Sequence, residues 1–504
     1  MKTAFDNEKY LREQSEHIIE RIGSSGTRLY LEFGGKLYDD YHASRVLPGF
    51  KPTSKIELIS RMKDQAEIIV CINARDIEKH KIRADFGITY DMEAFRLIDR
   101  LRNIGIDVNS VVITRFTGQT AAENFKTKLE RRNIKTYIHT PTKGYPAQGY
   151  LIDVGVVVSE EGYGANPYIE TTKPLVIVTS PGAGGGKLGT CLSQLYHESK
   201  RGMRSSYAKY ETFPIWNLPI EHPVNIAYEA ATADLNDITM RDEFHWRAYG
   251  EPAVTYNRDL MMFGVVKEML ERITGESVYK SPTDMGVNMT GFCITDEAAV
   301  AEAARQEVIR RYYKSLCEFK RGDTGEESVG RIKVLMNKLG VTPEQRAPVA
   351  PCLKKTKESG RPVVAIQLPA KDGSAGGEII TGKDNNLMTA AASALLNAIK
   401  AMAGIPDEIH LLSRHVLEPM LEVKDKFADS ARLLTVYDVL MGLGICALQN
   451  PTIVPALQQL GKLNSCDAHA GYMIPAADEN MYRSLNILLT CEPEFFTEKL
   501  YFDI

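Results

Sequence analysis

The sequence predicts an α/β protein: a doubly wound, mainly parallel sheet with a P-loop-like strand–loop–helix, a helical middle subdomain and a smaller C-terminal α/β domain. Three observations carry this. Short β-rich runs alternate with amphipathic segments through the first two hundred residues, which is the pattern of crossover units on a parallel sheet. Residues 175–178 are continuously apolar, as in a strand buried on both faces. A glycine-rich run, Ser180-Pro181-Gly182-Ala183-Gly184-Gly185-Gly186-Lys187, then leads into a helical segment.

The elements follow in order. Residues 28–33 read as a strand, and Ser54–Asp64 as a helix with apolar residues at 56, 58, 59 and 62. Glu67–Ile72 and Val111–Phe116 read as strands, and Met92–Asn103 and Gln119–Arg132 as helices. Lys135–His139 and Tyr150–Val158 look extended, Pro174–Ser180 is the compact apolar strand, and Leu188–Glu198 is helical. Three prolines between Tyr210 and Pro223 break any regular element, so this segment reads as an ordered loop. Helical spacing resumes at Val224–Asp237, Asp296–Phe319 and 325–338. Pro348 and Pro351 mark a boundary, after which Pro362–Leu368 and Glu408–Leu412 read as strands, Ile379–Asn386 as a strand end with a Gly-Lys turn, and Leu387–Ala403 and Leu433–Gln449 as helices. The expected domains are 1–220, 221–345 and 346–504.

Composition narrows the function. Lys plus Arg is 61 against 65 for Asp plus Glu, so no basic excess points to nucleic acid. No apolar stretch approaches the ~18–20 residues of a membrane helix, and Met1–Arg21 lacks the apolar core of a signal peptide. A cytoplasmic protein with no nucleic-acid or membrane partner is expected. The eight cysteines are scattered without a Cys-x-x-Cys pair and read as small buried residues.

In doubly wound sheets ligands sit at the carboxyl ends of the strands. The loop at 180–190 is the sharpest candidate there. Side-chain-free residues let main-chain N–H groups face an anion, and a helix N-terminus adds positive charge. Gly182, Gly184, Gly185, Gly186, Lys187 and Thr190 are the expected cofactor-binding residues, with Lys187 on outer phosphates and Thr190 on Mg²⁺. The P-loop match is imperfect: Pro181 stands where the first glycine belongs, Leu188 where the hydroxyl belongs, and Thr190 lies two residues late. The competing reading is a tight turn that lets the helix pack on the sheet.

A second strand-end loop, Glu32–Pro48, carries Lys36, Asp39, Asp40, His42 and Arg45. Lys36 and Arg45 would hold an anionic substrate, and Asp39, Asp40 and His42 would do acid–base work or hold a metal. Asp284, in Ser281-Pro282-Thr283-Asp284-Met285-Gly286, is a further base candidate. Catalytic expectations are therefore Lys36, Asp39, His42 and Asp284. Substrate-binding expectations are Arg45, Thr117, Asn288 and Lys383. Against these stand a solvated loop for 32–48, a helix cap for Thr117 and a structural turn for 281–289. No clear Walker-B carboxylate is present, Asp153 being a weak candidate. Cys466, Asp467 and His469 lie within four residues, but a zinc site needs three or four ligands, and a buried structural cluster is the expected outcome. His197-Glu198 is not followed by the second His of a zinc-protease motif.

The runs at 31–37, 42–50, 180–190, 213–219, 228–235 and 281–286 together resemble a bacterial family of about this length, known as a domain of unknown function. The resemblance covers the whole chain. It implies an N-terminal part with a P-loop-like element, a helical middle and a separate α/β C-terminal subdomain, and it implies no activity and no catalytic residues. The residues themselves point to an enzyme that binds a nucleotide or another phosphorylated small molecule. ATP with Mg²⁺ is the specific expectation, in an ATP-dependent transferase or ligase. The alternatives are an enzyme that holds a substrate phosphate without hydrolysing nucleotide, and a non-catalytic regulatory or scaffold protein with a structural glycine loop. A chain of this size is also expected to form a homo-oligomer.

Overall fold

The apolar run at 175–178 forms the middle of a parallel sheet. In the computed structural model, which describes residues 3–24, 28–83, 87–145, 152–370, 376–427 and 433–497, the chain divides into two units. One comprises Thr3–Glu229 and Asn236–Ala301; the other comprises Ala230–Leu235 and the chain from Glu302 onward.

The sheet of the first unit is built from β1 (Arg28–Phe33), β2 (Ala66–Asn73), β3 (Asp107–Thr114), β4 (Lys135–Ile138), β5 (Leu175–Thr179), β6 (Ser205–Tyr210) and β7 (Gly286–Val287). Their order is β7-β6-β1-β5-β2-β3-β4, and every pairing is parallel. β5 is buried along its whole length because it pairs with β1 on one side and β2 on the other. Leu175 lies level with both Leu29 and Ala66. β2 is buried at all eight positions, Glu67 included. That carboxylate is tolerated because it accepts the Thr172 and Lys173 N–H groups at 2.6 and 2.7 Å and the Asn109 amide at 2.6 Å.

Connectivity fixes where a ligand can sit. From β5 the chain runs through the helix Lys187–Lys200 and past β1 to β6. From β2 it runs the other way, through the helix Tyr90–Asn103, to β3. Neighbouring strands whose onward connections diverge leave a crevice at their carboxyl ends, the switch point of a doubly wound sheet. The glycine-rich loop follows β5 and so borders this crevice.

The second unit contains β8 (Val363–Gln367), β9 (Ile379–Lys383), β10 (Asp467–Ala470) and β11 (Leu488–Cys491), in the order β9-β8-β10-β11. β8 is antiparallel to both neighbours, whereas β10 and β11 are parallel. Its core joins Val364 and Ile366 to the small-residue face of the helix Ala390–Met402 and to Leu443 and Tyr482. No helix among the described residues is long and apolar enough to cross a membrane.

Three elements depart from the sequence reading. Val154–Val157 is a helical turn rather than extended, because the Asp153 carboxylate accepts the Val156 N–H at 3.1 Å and caps it; Tyr150 and Leu151 lie outside the described residues. No element is assigned to 205–209 in the sequence reading, and its loop begins at Tyr210: Ser205-Ser206-Tyr207-Ala208-Lys209-Tyr210 is polar for a strand, its burial does not alternate, and only pairing with β1 reveals it. Glu408–Leu412 forms no strand. Leu411 and Leu412 are buried in the core, but no described strand pairs with them.

Gly382 of β9 gives the fold a local test. A Cβ there would stand 2.1 Å from the Ala394 main-chain nitrogen, so strand and helix touch through the missing side chain. Gly382→Ala is expected to cost about 1–3 kcal/mol, read as a lower urea midpoint. An unchanged midpoint would show that this contact does not constrain the second unit.

Candidate functional site

The glycine-rich loop is held by its carbonyls. The Gly182 carbonyl accepts the Ser180 hydroxyl at 2.5 Å, the Gly184 carbonyl the Asn73 amide at 3.4 Å, and the Gly185 carbonyl the Thr114 hydroxyl at 2.8 Å. The Gly186 carbonyl accepts both the N–H and the hydroxyl of Thr190 at 3.0 Å. In a trans peptide the next N–H points the opposite way. The N–H groups of Ala183, Gly185, Gly186 and Lys187 therefore face away from these donors. None of the N–H groups from Gly182 to Gly189 meets an acceptor among the described residues. Gly186, at φ 90°, starts the helix in the left-handed region, and a Cβ there would lie 2.7 Å from the Thr114 hydroxyl. Ala183 and Gly184 are solvent-exposed, so the cup opens outward. It has the form of an anion nest at a helix N-terminus.

Lys187 lies across this cup. Its ammonium is 3.5 Å from the Ser180 hydroxyl and 3.9 Å from the Glu32 carboxylate at the end of β1. Thr190 faces inward instead: it is buried, its hydroxyl donates to Gly186 and it accepts from the Cys71 thiol at 3.4 Å.

From Glu32 the charges continue onto β6. Glu32 is the register partner of Lys209, and its carboxylate accepts the Tyr207 hydroxyl at 2.8 Å. Lys209 bridges Glu211 at 2.5 Å and Asp259 at 2.7 Å. Burial raises the Glu211 carboxyl; Lys209 opposes the rise and Asp259 and Glu32 add to it, leaving it at about 7. Lys209 itself is held protonated: burial disfavours its charge, but Asp259, Glu211 and Glu32 more than compensate. Three strand ends thus bring together the glycine loop, the Lys187 ammonium, Glu32 and a carboxyl raised to about 7. Tyr207, Lys209 and Glu211 were overlooked in the sequence. Their signal was the period of two, which puts all three on one face of a strand.

The other expected residues are placed as follows. Lys36 is exposed beyond β1. Asp39, at φ 58°, receives Arg100 at 2.6 Å and Arg96 at 3.3 Å. Asp40 caps the short helix Tyr41–Val46 and pairs with buried Lys55 at 2.8 Å. Arg45 lies on that helix, and the His42 ring stands edge-on to Phe213 and Tyr228. Thr117 exchanges hydrogen bonds with the Gln119 side chain, and Gln119 rather than Thr117 occupies the cap position. Asn288 is buried and spans Pro214 and Thr290. Asp284 accepts the Tyr249 hydroxyl at 2.8 Å and the Lys280 N–H at 3.0 Å. None of these contacts joins Asp284 or Asn288 to the glycine loop. Lys383 is an exposed residue at the end of β9, in the second unit.

In the tail, Cys466 donates to the Lys462 carbonyl, while His469 meets Thr490 at 2.9 Å and Glu492 at 3.2 Å. Among the described residues no group of His, Cys, Asp and Glu could hold a metal ion.

The sequence profile of the family described as domain of unknown function DUF1846 matches this chain in two parts, N-terminal over residues 3–340 and C-terminal over 344–501. A UPF0371 protein of Clostridioides difficile (strain 630) is 52% identical over 512 residues and covers both chains in full. UPF0371 proteins of Clostridium tetani (strain Massachusetts / E88) and Clostridium botulinum (strain Langeland) are each 50% identical, again across the whole of both chains.

Glu211 carries a pH signature. Its folded value of about 7 exceeds the ordinary 4.5. The stability it contributes is therefore complete below about pH 4.5 and is lost as pH rises to about 7. Glu211→Gln cannot ionise. Urea unfolding should show the parent losing on the order of 2 kcal/mol relative to this variant between those limits. Parallel pH curves would mean that Glu211 ionises as an ordinary surface acid.

Proposed function

The chain belongs to the DUF1846 family, shared with the UPF0371 proteins, and from that premise we propose that it is an enzyme acting on a phosphorylated small molecule. The phosphate sits in the cup of N–H groups at Ala183, Gly185, Gly186 and Lys187. The observation that carries this reading is the orientation of the loop peptides, whose carbonyls are satisfied by protein donors while the N–H groups are left for an anion. The Lys187 ammonium needs only to leave its 3.9 Å contact with Glu32 to meet a phosphate oxygen. Glu211, exchanging its proton near neutrality beside Lys209, supplies acid–base chemistry at the reacting end of the ligand.

Phosphate-ester binding is favoured over Mg²⁺-dependent nucleotide hydrolysis by two placements. The Thr190 hydroxyl, the residue expected to meet Mg²⁺, is turned into the protein and engaged. Asp153, the candidate second carboxylate, is spent on a helix cap.

Calorimetry with inorganic phosphate, pyrophosphate and ADP, each with and without Mg²⁺, tests the proposal. Binding without Mg²⁺ is expected, and Lys187→Ala should weaken it by about tenfold or more, the worth of one charge-assisted hydrogen bond. A Lys187→Ala variant that binds as tightly as the parent would overturn the site. Binding that appears only with Mg²⁺ would return the nucleotide reading.

A further inference from the structure

The second unit contains a cavity of about 290 Å³ at one end of its sheet, where β8 begins and β9 and β10 end. Its size lies at the small end of ligand pockets. Pro362, Leu433, Tyr472, Ile474, Pro475 and Phe496 form a largely apolar wall. The polar side is made by Asp384 and Asp478, with Thr389 and Thr435, which cap the helices Ala390–Met402 and Val436–Cys446.

Both acids are held in place by neutral donors. Asp478 is wholly buried and accepts the Thr389 hydroxyl and the Val436 N–H, each at 2.7 Å. Asp384 accepts the Ala390 N–H at 2.5 Å. A carboxylate has about four acceptor positions, so each retains capacity. Neither forms an ion pair among the described residues. Lys424 pairs with Asp438 at 2.6 Å and Arg361 donates to the main-chain carbonyl of Asp384, so each cation steadies the nearby acid, Asp478 and Asp384 respectively, through its field and without direct contact. Burial raises both carboxyls, and the Asp478 charge adds to the rise at Asp384. The helix N-termini explain why the acids are tolerated. They do not explain the further acceptor capacity that the partly exposed Asp384 presents in the wall of an apolar cavity.

A guest must suit both surfaces. An anion would be repelled by the two acids, and an apolar molecule alone would leave them unpaired. A bare metal ion would meet too few oxygen ligands against a wall of carbon. We infer that this cavity binds a small organic ammonium, its N–H donors on the partly exposed Asp384, with the buried Asp478 charge behind it, and its apolar or aromatic body against Tyr472, Ile474, Pro475 and Phe496. The aromatic rings suit such a guest as well, since a cation is attracted to a ring face.

The test uses the full chain and three probes that differ only at the polar end: phenethylammonium, 2-phenylethanol and 3-phenylpropionate, observed by saturation-transfer NMR and calorimetry. The ammonium should bind about tenfold more tightly than the alcohol, as expected for charge-assisted over neutral hydrogen bonds, and the carboxylate should not bind. Asp384→Asn should erase the preference for the ammonium, and Ile474→Trp, which fills the cavity, should abolish binding. Lys187→Ala should leave all three results unchanged, which separates this site from the glycine cup. Equal binding of ammonium and alcohol, an unaltered preference in Asp384→Asn, or no ammonium binding at millimolar concentration would overturn the inference. Should Asp384→Asn fail to fold, the probe series on the parent and Ile474→Trp decide it.

Discussion

Four hydrogen bonds to carbonyls give the crevice its character. A glycine-rich loop has no side chains to dictate its path, and without restraint its peptides would turn either face outward. Here Asn73 at the end of β2, Thr114 at the end of β3, Ser180 at the base of the loop and Thr190 in the first helical turn each hold one carbonyl inward. Two of the donors, Asn73 and Thr114, come from neighbouring strands of one sheet and two from the loop's own flanks, so the polarity of the loop is fixed by the fold. Preorganisation of this kind removes the reorganisation cost that a free loop would carry on binding.

The same geometry explains why charge gathers there. Parallel register places Glu32 beside Lys209, and the two-residue period brings Glu211 onto the same face. Three ionisable groups and Asp259 are thus held closer than their hydration would favour. Burial is the main reason the Glu211 carboxyl is raised; Asp259 and Glu32 add to the rise and Lys209 opposes it.

Much of this was legible in the residues. The continuous apolarity of 175–178 located the central strand, and the glycines after it located the helix start. What escaped notice lay where tertiary pairing overrides local preference. β6 carries a lysine and two serines and reads as polar until β1 and β7 are set beside it. The fate of Thr190 was hidden too: a hydroxyl in the first turn of a helix can cap, bind a ligand or bond back to its own backbone, and the residue spacing is the same for all three. Asp39 reads as an independent reactive group in the sequence because its pairing with Arg100, sixty-one residues on, is made by the fold.

The placement of β5 between β1 and β2 has a consequence for how the chain is made. β1 is complete by residue 33 and β2 by residue 73, yet the strand that joins them is not translated until residue 179. Throughout that interval the nascent chain carries two apolar strands with unfilled edges, the sort of surface that recruits chaperones and misassociates with other chains. Insertion of β5 closes that gap and brings the glycine loop to the crevice in one event, so a molecule whose loop is in place is also one in which β1 and β2 are joined.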